Sequence, residues 1–158
     1  MLGQDFRDFI QALNDRAVRY LVVGGYAVAY HGEPRYTKDL DVWIELNPGN
    51  AARLIAALNE FGFSSLNLRD EDFLVPDQII QLGYPPNRID LLVSLLGVDF
   101  ETCYATRVET VVDGVRVNLI DLENLKKNKL ATGRLQDLAD LENLTKGEKE
   151  RGYRAKNR

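Results

Sequence analysis

A pair of glycines between two apolar runs constrains this chain more than any other feature of its sequence. Tyr20–Val23 is apolar and ends at Gly24 and Gly25, and residues 40–46 form a second apolar run that carries acids near its start. Short apolar runs bounded by turn residues are typical of buried strands. Residues 26–31, between the runs, favour a tightly packed helix. The segment therefore predicts a strand, a glycine turn, a short helix and a second strand.

Asp39 and Asp41 stand at the start of the second run with one apolar residue between them. Alternate residues of a strand point to the same face, so the two carboxylates are expected to project together. The glycine turn lacks the side chains that would keep an anion from the backbone N–H groups, and the helix after it directs its N-terminus toward that anion. In this order and spacing, the glycines and the acids indicate metal-assisted phosphate chemistry.

The size and composition of the chain are those of one soluble globular domain. It has 158 residues, of which 45% are hydrophobic, enough to bury a single core, and we predict one domain over residues 1–145. No apolar run approaches the roughly 20 residues that cross a bilayer, and no export signal is recognisable at the N-terminus. The single cysteine, Cys103, excludes an internal disulfide and a cysteine-based zinc site. We expect a cytoplasmic protein without a membrane partner.

Residues 146–158 form a basic terminal segment. They contain six Lys or Arg and two Glu, a net charge of +4, whereas the preceding residues carry about −8. A basic patch on an acidic protein is one way to contact RNA. A solvated and flexible tail of the same composition needs no ligand, and the composition favours this second interpretation.

Apolar periodicity predicts the remaining helices and strands. Helices are predicted over residues 4–16, 48–61, 121–130 and 135–144. Strands are predicted over residues 78–82, 88–95, 108–112 and 115–120, as two hairpins. Pro85 and Pro86 lie in the turn of the first hairpin, and Asp113 and Gly114 in that of the second. Together these elements predict an α+β domain, in which helices flank one mixed sheet.

Asp90 is an acid in an otherwise apolar strand. If the strand over residues 88–95 lies beside the strand over residues 40–46, Asp90 shares an edge with Asp39 and Asp41. Three carboxylates, without a cysteine or a second histidine, suit Mg²⁺ or Mn²⁺ better than zinc. Alternatively, Asp90 pairs with Arg88 or Arg35 and only holds the sheet together.

The run GGYAVAYHGEPRYTKDLDVWIE resembles the nucleotidyltransferases of the DNA polymerase β superfamily. Their signature is a Gly-Gly or Gly-Ser turn, about a dozen residues, an Asp-x-Asp pair and a third acid on a later strand. Gly24 and Gly25 match the turn, Asp39 and Asp41 match the pair, and Asp90 matches the third acid. The chain is most similar to the small prokaryotic branch that includes the abortive-infection toxin-type nucleotidyltransferases. The resemblance implies the nucleotidyltransferase fold, with additional C-terminal helices.

The same resemblance implies transfer of a nucleoside monophosphate from an NTP to an acceptor hydroxyl or phosphate, with release of pyrophosphate. Asp39, Asp41 and Asp90 would be the catalytic residues and would ligate two Mg²⁺ ions, with Mn²⁺ as a possible substitute. The acceptor, whether tRNA, protein or a small molecule, is not specified. An antitoxin or a second copy of the chain are possible partners.

Nucleotide binding is assigned to the glycine turn and to three further residues. Gly24 and Gly25 would cradle the β and γ phosphates, and Arg35, Thr37 and Lys129 would contact the nucleotide. The sequence leaves open the roles of His31, Lys38, Lys126, Lys127, Arg134 and Asp137.

Two other functions remain compatible with the sequence. One is a non-catalytic module of a toxin–antitoxin system that keeps the fold and binds a nucleotide or a partner protein. The other is a phosphohydrolase that uses the same metals, in which water replaces the acceptor. Retention of all three acids disfavours the first, and the glycine turn, which suits a triphosphate, disfavours the second.

Overall fold

A computed structural model describes residues 2–34, 36–84 and 87–156 as a mixture of helices and strands. The α-helices are α1 (Gln4–Asp15), α2 (Gly24–His31), α3 (Pro48–Phe61), α4 (Phe100–Ala105), α5 (Leu122–Thr132) and α6 (Leu135–Lys156). The strands are β1 (Tyr20–Val23), β2 (Leu40–Ile44), β3 (Ile79–Leu82), β4 (Ile89–Leu92), β5 (Val108–Val112) and β6 (Val115–Leu119). Short 3-10 turns at Ser64–Leu66 and Asp70–Phe73 follow α3. Each helix and strand predicted from the sequence is present.

The strands form one mixed sheet in the order β3-β4-β2-β1-β6-β5. β1 lies antiparallel to β2 and parallel to β6, and β2 lies parallel to β4. The predicted hairpins are the antiparallel pairs at the two edges, β3 with β4 and β5 with β6. The expected α+β architecture with a mixed sheet is therefore confirmed.

The core lies between the sheet and its helices. All four residues of β1 are buried, which explains why its sequence is a continuous apolar run rather than an alternating one. α1 buries Phe6, Phe9, Ile10 and Leu13 on one face, which packs against α3 and β6. These side chains belong to the core of the domain, a point that composition alone did not decide.

The ends of α3 and α5 follow local signals in the sequence. The Asn47 side chain accepts a hydrogen bond from the Asn50 N–H at 2.9 Å, and Asp121 caps α5 in the same way. Gly62 and Gly133 end these helices in the left-handed conformation, with φ of 109° and 63°. Caps of this type lie within a few residues of the helix, which is why they were recognisable without the fold.

Helix α4 was not predicted from the sequence. Asp99 caps it through the Thr102 N–H at 3.0 Å, but its six residues are too few to show a helical period. Tertiary contacts stabilise it instead, because the Phe100 ring packs edge-to-face on Trp43 with centroids 5.2 Å apart. Trp43 is only 2% exposed and therefore belongs to the hydrophobic core.

Helix α6 continues well past the predicted end at residue 144. Residues 146–156, expected as a flexible basic tail, are helical, and Arg151 Nη1 donates to the His31 carbonyl oxygen at 2.6 Å. Glu148 pairs with Lys126 of α5, and Gly147 passes close to Gly32, where a Cβ would meet the Gly32 Cα at 3.3 Å. This part of α6 thus holds the end of α2. Across the described ranges, no helix combines the length and apolarity needed to cross a bilayer.

Candidate active site

Three adjacent strands align the predicted site residues in one row. Val23 of β1 pairs with Asp41 of β2, and Asp41 pairs in turn with Asp90 of β4. Residues directly opposite each other on neighbouring strands point to the same face, so Asp41 and Asp90 lie side by side. Asp39 lies just before β2, two residues from Asp41. This register places the two acid-bearing strands side by side, which is the condition under which Asp90 was expected beside Asp39 and Asp41.

Gly24 lies against the carboxylate of Asp41. Gly24 has a φ of 66°. A Cβ at this position would overlap the Asp41 carboxylate, because it would lie 2.9 Å from the Asp41 Cγ. The turn therefore needs glycine both for its left-handed conformation and for its close approach to the acid. Because α2 begins at Gly24 and includes Gly25, the N-terminus of α2 lies directly beside the row of acids.

Arg88 inserts its guanidinium between two of the three acids. Its Nη2 lies 2.7 Å from Asp39 Oδ2 and 3.3 Å from Asp90 Oδ2, and its Nε lies 3.1 Å from Asp90 Oδ1. The sequence had offered this pair as the alternative to a metal. The structure shows the ion pair, whereas the other suggested partner, Arg35, lies outside the described residues.

Asp41 is the least neutralised of the three acids. It forms no ion pair with any residue in the described ranges. Burial, followed by repulsion from Asp90 and Asp39, raises the pKa of Asp41 from its ordinary value to about 7, although Lys129 and Arg88 act in the opposite direction. This carboxylate would be stabilised by a cation placed beside it.

The three carboxylates are chemically suited to a hard divalent cation. Carboxylate oxygens are the ligands that Mg²⁺ and Mn²⁺ prefer, and three carboxylates lie near the N-terminal ends of β2 and β4. In their present arrangement, no three acidic, histidine or cysteine side chains in the described part of the chain are placed to hold a metal ion. Arg88 pairs with Asp39 and Asp90 and so already offsets part of the negative charge that a metal would neutralise.

A second charged cluster on α5 and α6 adjoins the row of acids. The Lys129 Nζ lies 3.4 Å from Asp137 Oδ1 and 3.1 Å from Asp140 Oδ2, and all three residues are buried. Lys129 is close enough to Asp41 to lower the pKa of that carboxyl. The amine predicted to contact a nucleotide is therefore held by two carboxylates, within electrostatic reach of the site.

Asp137 is the best-stabilised anion of this cluster. Burial raises its pKa, but the hydrogen bonds from Arg134 and the charges of Lys129 and Arg134 help to outweigh burial and lower the pKa to about 2. Arg134 Nε lies 2.7 Å from Asp137 Oδ2 and remains exposed. The exposed guanidinium of Arg134 therefore pairs with a buried carboxylate. Sequence reasoning missed Asp140, although its spacing of three residues from Asp137 places both on one helix face.

The other polar residues considered from the sequence lie in different surroundings. Thr37 is half-buried before β2, and Lys38 is exposed. His31 is buried, its Nε2 lies 2.8 Å from the Ile120 carbonyl oxygen, and burial lowers its pKa, which gives it a packing role. Lys126 pairs with Glu148, and Lys127 is exposed.

The fold is shared with solved structures of nucleotidyltransferases. A structure from Thermotoga maritima, provisionally assigned as a nucleotidyltransferase, is 14% identical with a TM-score of 0.58 and covers 87% of this chain and 88% of that one. The antibiotic-resistance factor ANT(2'')-Ia is 12% identical with a TM-score of 0.57 and coverages of 97% and 91%. The lincosamide antibiotic adenylyltransferase LnuA, bound to lincomycin, is 13% identical with a TM-score of 0.52 and coverages of 92% and 97%. At these identities, the likeness shows the fold.

The family is shown by sequence. The chain belongs to the family described as Nucleotidyltransferase of unknown function (DUF6036), whose model matches residues 2–146. No curated protein matches the chain by sequence. The predicted membership of the nucleotidyltransferase superfamily is confirmed, and nucleotidyl transfer is the general activity of this class.

Proposed function

We propose that the protein is a metal-dependent nucleotidyltransferase, which moves a nucleoside monophosphate from an NTP to an acceptor hydroxyl or phosphate and releases pyrophosphate. The observation that carries this proposal is the register that aligns Asp41 with Asp90, beside the close approach of Gly24. Because Asp41 lies against the start of α2, the proposed cation and anion sites adjoin.

Asp39, Asp41 and Asp90 are the residues that would hold Mg²⁺, or Mn²⁺ in its place. Two divalent ions, when bound, neutralise the charge of the triphosphate and lower the pKa of the acceptor hydroxyl. Asp90, at the start of β4, is the group proposed to accept the proton of that hydroxyl. Asp41 serves in its ionised form, which a bound cation favours because it offsets burial and the neighbouring acids.

The phosphates are proposed to bind at the start of α2. The first N–H groups of a helix have no partner within the helix and attract anions, and Gly24 and Gly25 bring them close to the ligand. The charge of Lys129 supports phosphate binding from α5, while Asp137 and Asp140 hold its amine in place. The proposed contacts of Thr37 and Arg35 complete the nucleotide site.

The acceptor is the open part of the proposal. LnuA is a lincosamide antibiotic adenylyltransferase, and ANT(2'')-Ia is an antibiotic-resistance factor, so a small hydroxylated molecule is one acceptor class to test. A tRNA and a protein are the others, and a role in a toxin–antitoxin system would fit either of them.

A non-catalytic binding module is the second candidate function. The ion pairs of Arg88 with Asp39 and Asp90 favour it, because they satisfy two acids without a metal. The two candidates differ in one observable, since a binding module would bind nucleotide and release no pyrophosphate.

The test is label transfer and pyrophosphate release from each of four α-labelled NTPs with Mg²⁺. Acceptors would be total tRNA, lysate protein and a panel of hydroxylated antibiotics. We expect the wild type to label one class and Asp41→Asn to lose at least about 100-fold in rate. Asp5→Asn, an exposed acid on α1, is the matched control and should retain activity. Equal transfer by wild type and Asp41→Asn would contradict the proposed role of the acids.

A further inference from the structure

An apolar cavity of about 290 Å³ lies between α2 and the part of the sheet formed by β1, β6 and β5. Tyr26, Ala29 and Tyr30 form its wall on α2, at the spacing that places residues on one side of a helix. Val22 and Leu119, which pair across β1 and β6, line it from the sheet. Regular elements with fixed backbones therefore bound the cavity.

The segment before α1 closes a further side of the cavity. Leu2 lines it, and the Leu2 N–H donates to Asp113 Oδ2 at 3.1 Å. Arg7 Nη1 donates to the Asp113 carbonyl oxygen at 3.2 Å, so two hydrogen bonds hold this segment on the turn between β5 and β6. Tyr30 is 47% exposed, which leaves an opening to solvent beside α2. A preformed concave site of this kind is typical of small-molecule binding.

The cavity lies on the opposite face of the sheet from Asp41. Asp41 pairs with Val23 and shares its face, whereas Val22, the neighbour of Val23 on β1, points to the other face. Both regions border on α2, which begins at the glycine turn and carries Tyr26 in its first turn. A ligand in the cavity would therefore contact α2 without entering the proposed nucleotide site.

The walls of the cavity select for an uncharged ligand. Among the described residues that line it, none is charged, and the polar groups of their side chains are the hydroxyls of Tyr26 and Tyr30. A charged ligand would lose its hydration without gaining an ion pair. Burial, followed by repulsion from Tyr36 and Asp39, raises the pKa of Tyr26, so Asp39 would also repel an anion placed beside this residue.

We propose that this cavity is a second ligand site, which takes an uncharged small molecule with a bicyclic apolar body and one hydrogen-bonding group. An apolar cavity of about 150 Å³ stays dry and binds benzene, and this one has nearly twice that volume. A ligand that fills it supplies van der Waals contacts that its walls otherwise lack. The tyrosine hydroxyls provide partners for the polar group of the ligand. The inference goes beyond the proposed function and does not depend on it.

The experiment is isothermal titration calorimetry of the full chain with 1-naphthol, in the absence of metal and nucleotide. Ala29→Phe fills the cavity from α2, so we expect it to weaken the binding of 1-naphthol at least about tenfold relative to the wild type. Ala52→Phe on α3 is the matched control, because Ala52 is exposed and lies outside the cavity, and it should leave the affinity unchanged. Naphthalene-1-sulfonate, which carries a charge on the same rings, should bind at least about tenfold more weakly than 1-naphthol.

Two further measurements keep the test decisive. Circular dichroism checks the fold, and Val112→Phe, which fills the same cavity from β5, provides the test if Ala29→Phe does not fold. Equal binding of 1-naphthol by the wild type and the filling variants would overturn the inference, as would no binding by the wild type up to the solubility limit of 1-naphthol. Equal binding of the sulfonate would overturn the stated ligand class. Because the titration contains neither metal nor nucleotide, each of these outcomes leaves the proposed function intact.

Discussion

At the residue scale, Asp41 combines burial with two acidic neighbours. Its folded pKa of about 7 exceeds the ordinary value of 3.8, so the folded state binds a proton between these pH values and the unfolded state does not. The free energy of unfolding contributed by this group therefore falls as pH rises from about 4 to about 7 and is constant above. The acid lowers stability where it is ionised.

Asp41→Asn should consequently stabilise the metal-free protein at pH 8. We expect a gain of about 1–3 kcal/mol in the free energy of unfolding at pH 8 and little change at pH 4. Urea unfolding with a chelator at both pH values measures it. Since other groups also titrate, the relevant quantity is the difference between wild type and variant. An equal difference at the two pH values would refute the shifted pKa.

Gly24 gives a second prediction at this scale. Gly24→Ala places a Cβ against Asp41 in a left-handed conformation, so we expect a loss of about 1–3 kcal/mol in stability and loss of nucleotide transfer. Gly152→Ala in α6 is the matched control, because a Cβ there meets no atom within 4 Å. It should be neutral or slightly stabilising, as alanine is in a helix. Thermal unfolding of both variants gives the comparison.

At the element scale, α6 joins the terminal segment of the chain to the helix of the site. Arg151 donates to the carbonyl oxygen of His31 at the end of α2, and α2 begins at the glycine turn beside Asp41. A segment that composition marks as a solvated tail is thus connected to the site through one helix. This connection makes the terminal residues testable for stability.

Arg151→Gln should destabilise the domain by about 0.5–1.5 kcal/mol, because the helix-end carbonyl loses a charged donor. Arg154→Gln, on the same helix and exposed, is the control and should change stability by less than about 0.5 kcal/mol. Chemical denaturation compares the two. An equal effect of both variants would show that the residues after 145 contribute only through their charge.

At the scale of the whole molecule, one sheet carries both the core and the site. The only tryptophan, Trp43, is buried two residues after Asp41 on the same strand, so its fluorescence reports the unfolding of the sheet that aligns the acids. Binding at the site should therefore stabilise the whole domain, since the acids and the core share strands.

We expect a Mg²⁺ complex of a non-hydrolysable NTP analogue to raise the free energy of unfolding by about 2.7 kcal/mol at 100 times its dissociation constant. Trp43 fluorescence during urea unfolding measures the change. The analogue should stabilise the protein less when a chelator removes the metal. The Asp39→Asn variant should also be stabilised less than the wild type by the Mg²⁺ complex. Equal stabilisation with and without metal would argue for the non-catalytic binding module.

The predictions from the sequence differ most from the structure where an element depends on contacts between residues far apart in the chain. The strands, the glycine turn and the caps at Asn47 and Asp121 depend on neighbours within a few residues, and they were predictable. Helix α4 was not, because it depends on the packing of Phe100 on Trp43 across the fold. Arg88 was recognised as a possible partner of Asp90, but its simultaneous contact with Asp39 needed the sheet register.

The sequence by itself determined the mixed α+β fold, the glycine turn and the identity of the three acids. The fold and the turn follow from periodicity and turn chemistry, whereas the three acids follow from their match to the nucleotidyltransferase signature. Only the tertiary structure decided that Arg88 separates two of the acids, that Lys129 is held by Asp137 and Asp140, and that α6 braces α2. The physical reason is that charge pairing and burial depend on distances in space. Strand order and helix packing determine those distances, whereas spacing along the chain does not.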